Sequence, residues 1–100
     1  MSMQGYYEQV TYSNVSASQS GFKLLGGTYG ITVTATWGGG SVDLKKLAAD
    51  GSTYVSVLST TFSANAYQVV SVPPGIYQLT VTTATAVYAD ITSVIAAAGP

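Results

Sequence analysis

Between Ile31 and Trp37 the chain alternates without a break, with Thr32, Thr34 and Thr36 separating Ile31, Val33, Ala35 and Trp37. Successive side chains on a strand point to opposite faces. The pattern therefore predicts a strand with the apolar set buried and the threonines in water. The same period returns along the chain. Ser41 to Ala48 sets Val42 and Leu44 inward and Asp43 and Lys45 outward, until Lys46-Leu47 breaks the parity as a bulge or strand end does. Thr53 to Leu58 places Val55 and Val57 on one face, Ala66 to Val72 continues as a strand, and Ile76 to Thr83 puts Tyr77, Leu79 and Val81 in register. Ala86 to Ile95 is the last strand, and Phe22 to Leu25 is a short apolar one.

Turn chemistry separates these runs. Gly26-Gly27 and Gly38-Gly39-Gly40 permit bends. Asp50-Gly51 is a strong hairpin signal and predicts that 41–48 and 53–58 pair. In Val72-Pro73-Pro74-Gly75 proline fixes φ and glycine supplies the positive φ of a type II turn. Ser59 to Asn65 reads as a loop in which Phe62 plugs the core, and Tyr77, just after Gly75, matches a tyrosine-corner placement. Tyr6 to Tyr12 has the composition of an edge strand, and Ser13 to Ser20 is polar enough for a loop or extended arm. The expected fold is all-β: an antiparallel β-sandwich, Ig-like or jelly-roll-like, of about seven to eight short strands. Residues 1–20 form an N-terminal arm or edge strand, 21–96 the sandwich, and 97–100 a frayed tail.

Composition removes most chemistry from consideration. Charged residues make up 7% of the 100 positions: Glu8, Lys23, Asp43, Lys45, Lys46, Asp50 and Asp90. A typical domain carries about 25%. Thirteen Thr and twelve Ser take their place, and the net charge of −1 leaves little self-repulsion to oppose association. There is no Cys, His or Arg. Disulfides, thiolate metal sites and thiol nucleophiles are excluded, and the commonest general base is missing. Ser41 and Lys45 are the nearest hydroxyl–amine pairing, on a strand without a pocket. The four acids are scattered: Asp50 belongs to a turn, and Asp43 and Asp90 sit at outward strand positions, so a paired-carboxylate site is not expected. No clustered carboxylates suit Ca²⁺. The glycine clusters lead into strands, where a phosphate loop would lead into a helix. Three lysines against four acids make no basic footprint for nucleic acid. No apolar run approaches the ~20 residues of a spanning helix. The N-terminus lacks a basic segment followed by an apolar one, which predicts a protein made and used without secretion. No enzyme, cofactor or metal is expected.

The aromatic residues carry more information. Eight tyrosines are many for this length, and tyrosine supplies amphipathic contact area at interfaces and glycan platforms. Trp37 has core parity. Tyr54 and Tyr88 lie opposite their apolar neighbours, so they are exposed or both sheet faces are covered. Tyr6, Tyr7 and Tyr12 sit in a segment with little core of its own, and are the candidate partner-contact residues or members of a plain edge strand.

Several stretches together resemble small proteins encoded among the virion genes of tailed bacteriophages: Leu25-Gly26-Gly27-Thr28-Tyr29-Gly30, Val33 to Val42, Leu47 to Ser52, Val72 to Tyr77, and Thr85 to Ala89. These are small β-sandwich head-decoration or cement proteins. The resemblance implies a non-enzymatic virion protein on the capsid surface, made in a host cytoplasm. Its partners would be the major capsid protein and copies of itself, as a dimer or trimer, with no nucleic acid or membrane bound. The alternative is a carbohydrate- or receptor-binding β-sandwich module of a phage tail, which expects Trp37 and tyrosines in one exposed plane.

Overall fold

The computed structural model describes residues 8–94, so Tyr6, Tyr7 and the expected tail at 97–100 lie outside the described residues. Eight strands follow one another: β1 (Gln9–Val15), β2 (Gln19–Leu24), β3 (Gly27–Thr36), β4 (Ser41–Leu47), β5 (Tyr54–Ser56), β6 (Ala66–Val72), β7 (Gly75–Thr82) and β8 (Thr85–Ser93). They form two four-stranded sheets, β1-β8-β3-β6 and β2-β7-β4-β5, and every pairing is antiparallel. The pairs β1–β8, β2–β7, β3–β6 and β4–β5 nest inside one another. The chain is thus one long hairpin, tipped at β4–β5, then rolled so that β8 also pairs β3 and β7 also pairs β4. That is jelly-roll topology.

The alternating strands deliver the core from both sheets. Tyr29, Ile31, Val33, Val87 and Ile91 of the first sheet and Leu24, Val42, Tyr77 and Leu79 of the second are fully buried, with Phe62 filling the gap beside β4. Thr32, Thr34 and Thr36 face solvent as their parity requires. The Tyr77 hydroxyl donates to the Pro73 carbonyl at 2.5 Å, closing the corner expected of it.

Three local expectations need correction. The positive φ expected at Gly75 for a type II turn is absent: Gly75 opens β7 without left-handed backbone, and Pro73-Pro74 carries the chain from β6 to β7 in the other sheet. The left-handed residue there is Gly26 (φ 97), which lies against Pro74. The polar stretch from Ser13 to Ser20 is mostly strand, and only residues 16–18 link β1 to β2. Their hydroxyls hold the sheet ends, Ser16 Oγ accepting from Ala86 N and Ser18 Oγ from Val81 N. Finally, Asp43 has outward parity but is buried, at 7% exposure. The chain after β5 runs along β4, with Val57 N donating to Leu44 O and Phe62 pairing with Val42. This covers the Asp43 carboxylate, which accepts from Leu44 N and the Ser56 hydroxyl.

The β4–β5 hairpin forms as its sequence predicts, with a longer tip than a two-residue turn. Ala48 N donates to Thr53 O, and Gly51 (φ 77) closes an inner turn by donating to Ala48 O. Asp50 organises the rest. Its carboxylate accepts from Ser52 N, Thr53 N and the Thr53 hydroxyl at 2.7–2.9 Å. Those bonds, led by the Ser52 amide, lower its pKa from 3.8 to about 2. A depressed carboxyl pKa stabilises the fold above the unfolded value, and that contribution disappears as pH falls toward the folded one. An NMR titration should place the Asp50 midpoint near 2. Asp50→Ala should speed amide exchange at Ser52 and Thr53 more than Asp50→Asn, which keeps an acceptor oxygen. A midpoint at the ordinary value would contradict this turn.

Candidate binding face

The outer face of the β1-β8-β3-β6 sheet is the broadest regular surface among the described residues. Register assembles it in rows. One row runs Thr11, Asp90, Thr32, Tyr67, and the next runs Gln9, Thr92, Gly30, Val69. Tyr88 stands beside Thr34, and Thr28 is hydrogen-bonded to Ser71 through their hydroxyls at 2.9 Å. The face is therefore mostly hydroxyl, with Tyr67, Val69 and Tyr88 exposed on its strands and Val94, just past β8, exposed at its end beside Thr28. All three lysines lie on the other sheet, Lys23 on β2 and Lys45 and Lys46 on β4. None of them reaches a hydroxyl on this face to activate it.

Tyr67 owes its position to Gly30. A Cβ added at Gly30 would stand 2.6 Å from the Tyr67 hydroxyl oxygen and 2.8 Å from a ring carbon. The ring thus lies diagonally over Gly30, covers its backbone, and keeps 59% of its own surface exposed. Diagonal neighbours on antiparallel strands are within reach of aromatic side chains. Any side chain at position 30 would displace the ring.

Asp90 is the one charged side chain of the described part of this face. Partial burial disfavours its charge. The hydrogen bonds from Gln9, Thr92 and Thr11, at 2.8, 2.8 and 3.1 Å, outweigh that and hold its pKa below the ordinary value. Beside it, Thr11, Thr32, Thr34 and Tyr88 border a shallow depression of about 190 Å³. The arrangement offers hydroxyl donors and acceptors, one fixed carboxylate and tyrosine rings. It can hold a surface or a polyhydroxylated ligand by hydrogen bonding and stacking.

The residues singled out in the sequence fare differently. Tyr6 and Tyr7 lie outside the described residues. Tyr12 is half-buried on β1, its ring edge-on to Phe22 at 5.7 Å, and Phe22 in turn packs 6.4 Å from Tyr77. Burial pushes the Tyr12 phenol pKa up. Its ring ties β1 to β2 within the same chain. Trp37 is also half-buried, its indole N–H donating to Asn65 Oδ1 at 2.9 Å, so it does not join Tyr67 and Tyr88 in one plane. Ser41 and Lys45 share a strand face four residues apart, about 13 Å at strand rise, too far to touch. Asp43 and Asp90 lie in different sheets on opposite outer faces, so they form no carboxylate pair. Among the described residues no three His, Cys, Asp or Glu converge on a metal-sized site. Tyr67 and Val69 are the residues that sequence reasoning missed. The signal was present, because Val70 and Val72 fix the inward parity of β6 and send Tyr67, Val69 and Ser71 outward.

No protein-family model and no curated protein sequence matches the chain. Several solved structures are similar to it. The SPBc2 prophage-derived protein YomS is similar over 93% of this chain and 100% of that one, at 10% identity and a TM-score of 0.57. The disulfide-linked pili of Bacillus endospore appendages align over 94% of this chain and 93% of theirs, at 12% identity and a TM-score of 0.47. The mitogen from Yersinia pseudotuberculosis aligns over 91% and 87%, at 10% identity and a TM-score of 0.49. At 10% identity the likeness to the prophage-derived protein is one of fold alone.

Proposed function

We propose that this protein is a non-enzymatic structural component of a bacteriophage virion that binds the capsid exterior as a decoration or cement protein. The observation that carries the reading is the outer face of the β1-β8-β3-β6 sheet: hydroxyl-covered, with Asp90 its one described charge and Tyr67, Val69 and Tyr88 exposed. Such a face makes many modest contacts with another protein surface, and an assembled lattice multiplies each of them. The likeness to a prophage-derived protein agrees with a phage setting. Its partners are then the major capsid protein and further copies of itself, on the head surface.

Co-sedimentation with assembled heads tests this. The protein should pellet with heads and remain in solution with free coat subunits. Thr34→Arg, an exposed change beside Tyr88, should weaken head binding at least about tenfold, on the order of 1.4 kcal/mol. Lys23→Ala on the opposite sheet should leave it unchanged. Failure to pellet with heads, or equal effects of the two variants, rejects the proposal.

A second reading, a carbohydrate- or receptor-binding module of a phage tail, is favoured by one observation, the Tyr67 ring laid over Gly30 among threonines. It predicts glycan binding that Tyr67→Ala abolishes, without any association with heads.

A further inference from the structure

Each sheet ends in two edge strands, and three of the four are protected. β1 shifts register between Tyr12 and Val15 and carries the left-handed Asn14 (φ 54). β2 shifts register between Ser20 and Phe22 around the left-handed Gly21 (φ 84) and carries Lys23. β5 is three residues long. Bulges, charges and shortness are the devices by which edges avoid pairing with other strands. β6 has none of them. Its seven residues, Ala66 to Val72, pair with β3 without a register shift, contain no proline and bear no charge. Tyr67 and Val69 stand exposed on it at 59% and 56%. Among the described residues its outer edge makes no backbone hydrogen bond, and Gln68 reaches the neighbouring loop through its side chain alone, to Thr60 O.

We infer that β6 pairs antiparallel with β6 of a second copy of this chain, about a two-fold axis at Val69. An edge paired with itself is complementary by symmetry, since each exposed N–H meets the C=O of its mate. A second copy is favoured over an unrelated partner because the strand is chargeless, so the pairing meets no like-charge repulsion. The central position of Val69 sets Tyr67 of one copy opposite Ser71 of the other, and Gln68 opposite Val70, leaving no residue of the strand unmatched. The product is a continuous eight-stranded sheet with both hydroxyl faces on the same side. This inference does not depend on what that face binds. Strand-to-strand contact buries less than the roughly 1,200 Å² of a stable complex, so the pair is weak in solution and is strengthened where copies are held close together.

The absence of cysteine makes the test direct. Cross-strand Cβ atoms stand about 4.5–5.5 Å apart, within reach of a disulfide after small adjustment. Val69→Cys should give a disulfide-linked dimer under mild oxidation, at least about tenfold faster than Val55→Cys, an equally exposed thiol on the short edge β5. Adding Tyr67→Lys to Val69→Cys should bring the rate down to that of the Val55→Cys protein. Circular dichroism and thermal unfolding verify that each variant is folded. Equal rates for the two single thiols, or a rate unmoved by Tyr67→Lys, overturns the inference. Failure on this test leaves head binding by the monomer to be judged separately by co-sedimentation.

Discussion

Gly40→Ala is expected to cost more stability than a methyl added at any other described glycine. Gly40 is buried at the end of the β3–β4 crossing, where its N–H donates to Trp37 O at 2.6 Å. A Cβ there would fall inside contact with the Thr82 carbonyl oxygen, 2.5 Å from Ala84 N and 2.9 Å from Thr83 Cβ. These atoms belong to the β7–β8 crossing, so two chain crossings meet backbone to backbone at this point. No flexible side chain is available to move aside. The β7–β8 turn is itself tight: Ala84 N donates to Thr82 O across Thr83, a β-branched residue at φ 66. A three-residue turn with positive φ is rare and strained, so it has little freedom to retreat. Overpacking typically costs about 1–3 kcal/mol and occasionally more. Here the loss should exceed about 3 kcal/mol, from a total of roughly 5–15. At about 4–8 °C per kcal/mol for a domain this size, the midpoint of thermal unfolding should fall by more than about 12 °C. Gly39→Ala is the control. Its Cβ would meet open space, and the change carries the strain of φ 83 alone. That should cost about 1–2 kcal/mol. A Gly40→Ala protein that melts within a few degrees of wild type would show that the two crossings do not meet as described.

That crossing also marks where the sequence stops being legible. Period two along Ile31 to Trp37, Ile76 to Thr83 and Ala86 to Ser93 is a local property, and the inward and outward sets stand as it predicts. Which sheet a strand joins is not local. Every connection except β4–β5 passes from one sheet to the other. Pairing partners such as Gln9 and Thr92 lie more than 80 residues apart, and nothing in either strand names the other. The Pro-Pro-Gly segment has the composition of a type II turn, yet Gly75 takes ordinary strand backbone and the segment carries the chain across the sandwich. The outward parity of Asp43 was legible, but its burial depends on chain running along β4 from fourteen to nineteen residues downstream. The binding face follows the same division. The outward threonines of β3 are evident from alternation, while the rows that set them beside Asp90 and Tyr67 exist only through register. Gly30 looks like a turn residue beside Gly26 and Gly27, and its function in mid-strand is to seat a ring from another strand.

Two fully buried tyrosines should respond very differently to loss of their hydroxyls, although their rings do similar packing. The Tyr29 hydroxyl is a junction. It donates to Glu8 Oε1 at 2.5 Å and accepts from Gly26 N at 3.0 Å. The same Glu8 oxygen accepts from Leu25 N, and the Glu8 backbone is bonded in both directions to Ser93. One phenol thus helps fix the entry to β1, the β2–β3 crossing and the end of β8. Tyr29→Phe removes a hydrogen bond to a half-buried carboxylate and strips a partner from the Gly26 amide. Bonds to charged groups are worth about 1.5–3 kcal/mol, and neutral ones about 0.5–1.5. The expected loss is therefore about 2–3 kcal/mol. Tyr77→Phe removes one neutral bond, to the Pro73 carbonyl, and should cost about 1 kcal/mol. Denaturant unfolding of the two variants side by side measures the difference. Hydrogen exchange gives its location, since the Leu25 and Ser93 amides should lose protection in Tyr29→Phe and keep it in Tyr77→Phe. If Tyr29→Phe proves as mild as Tyr77→Phe, the Glu8 carboxylate does not anchor this end of the sandwich.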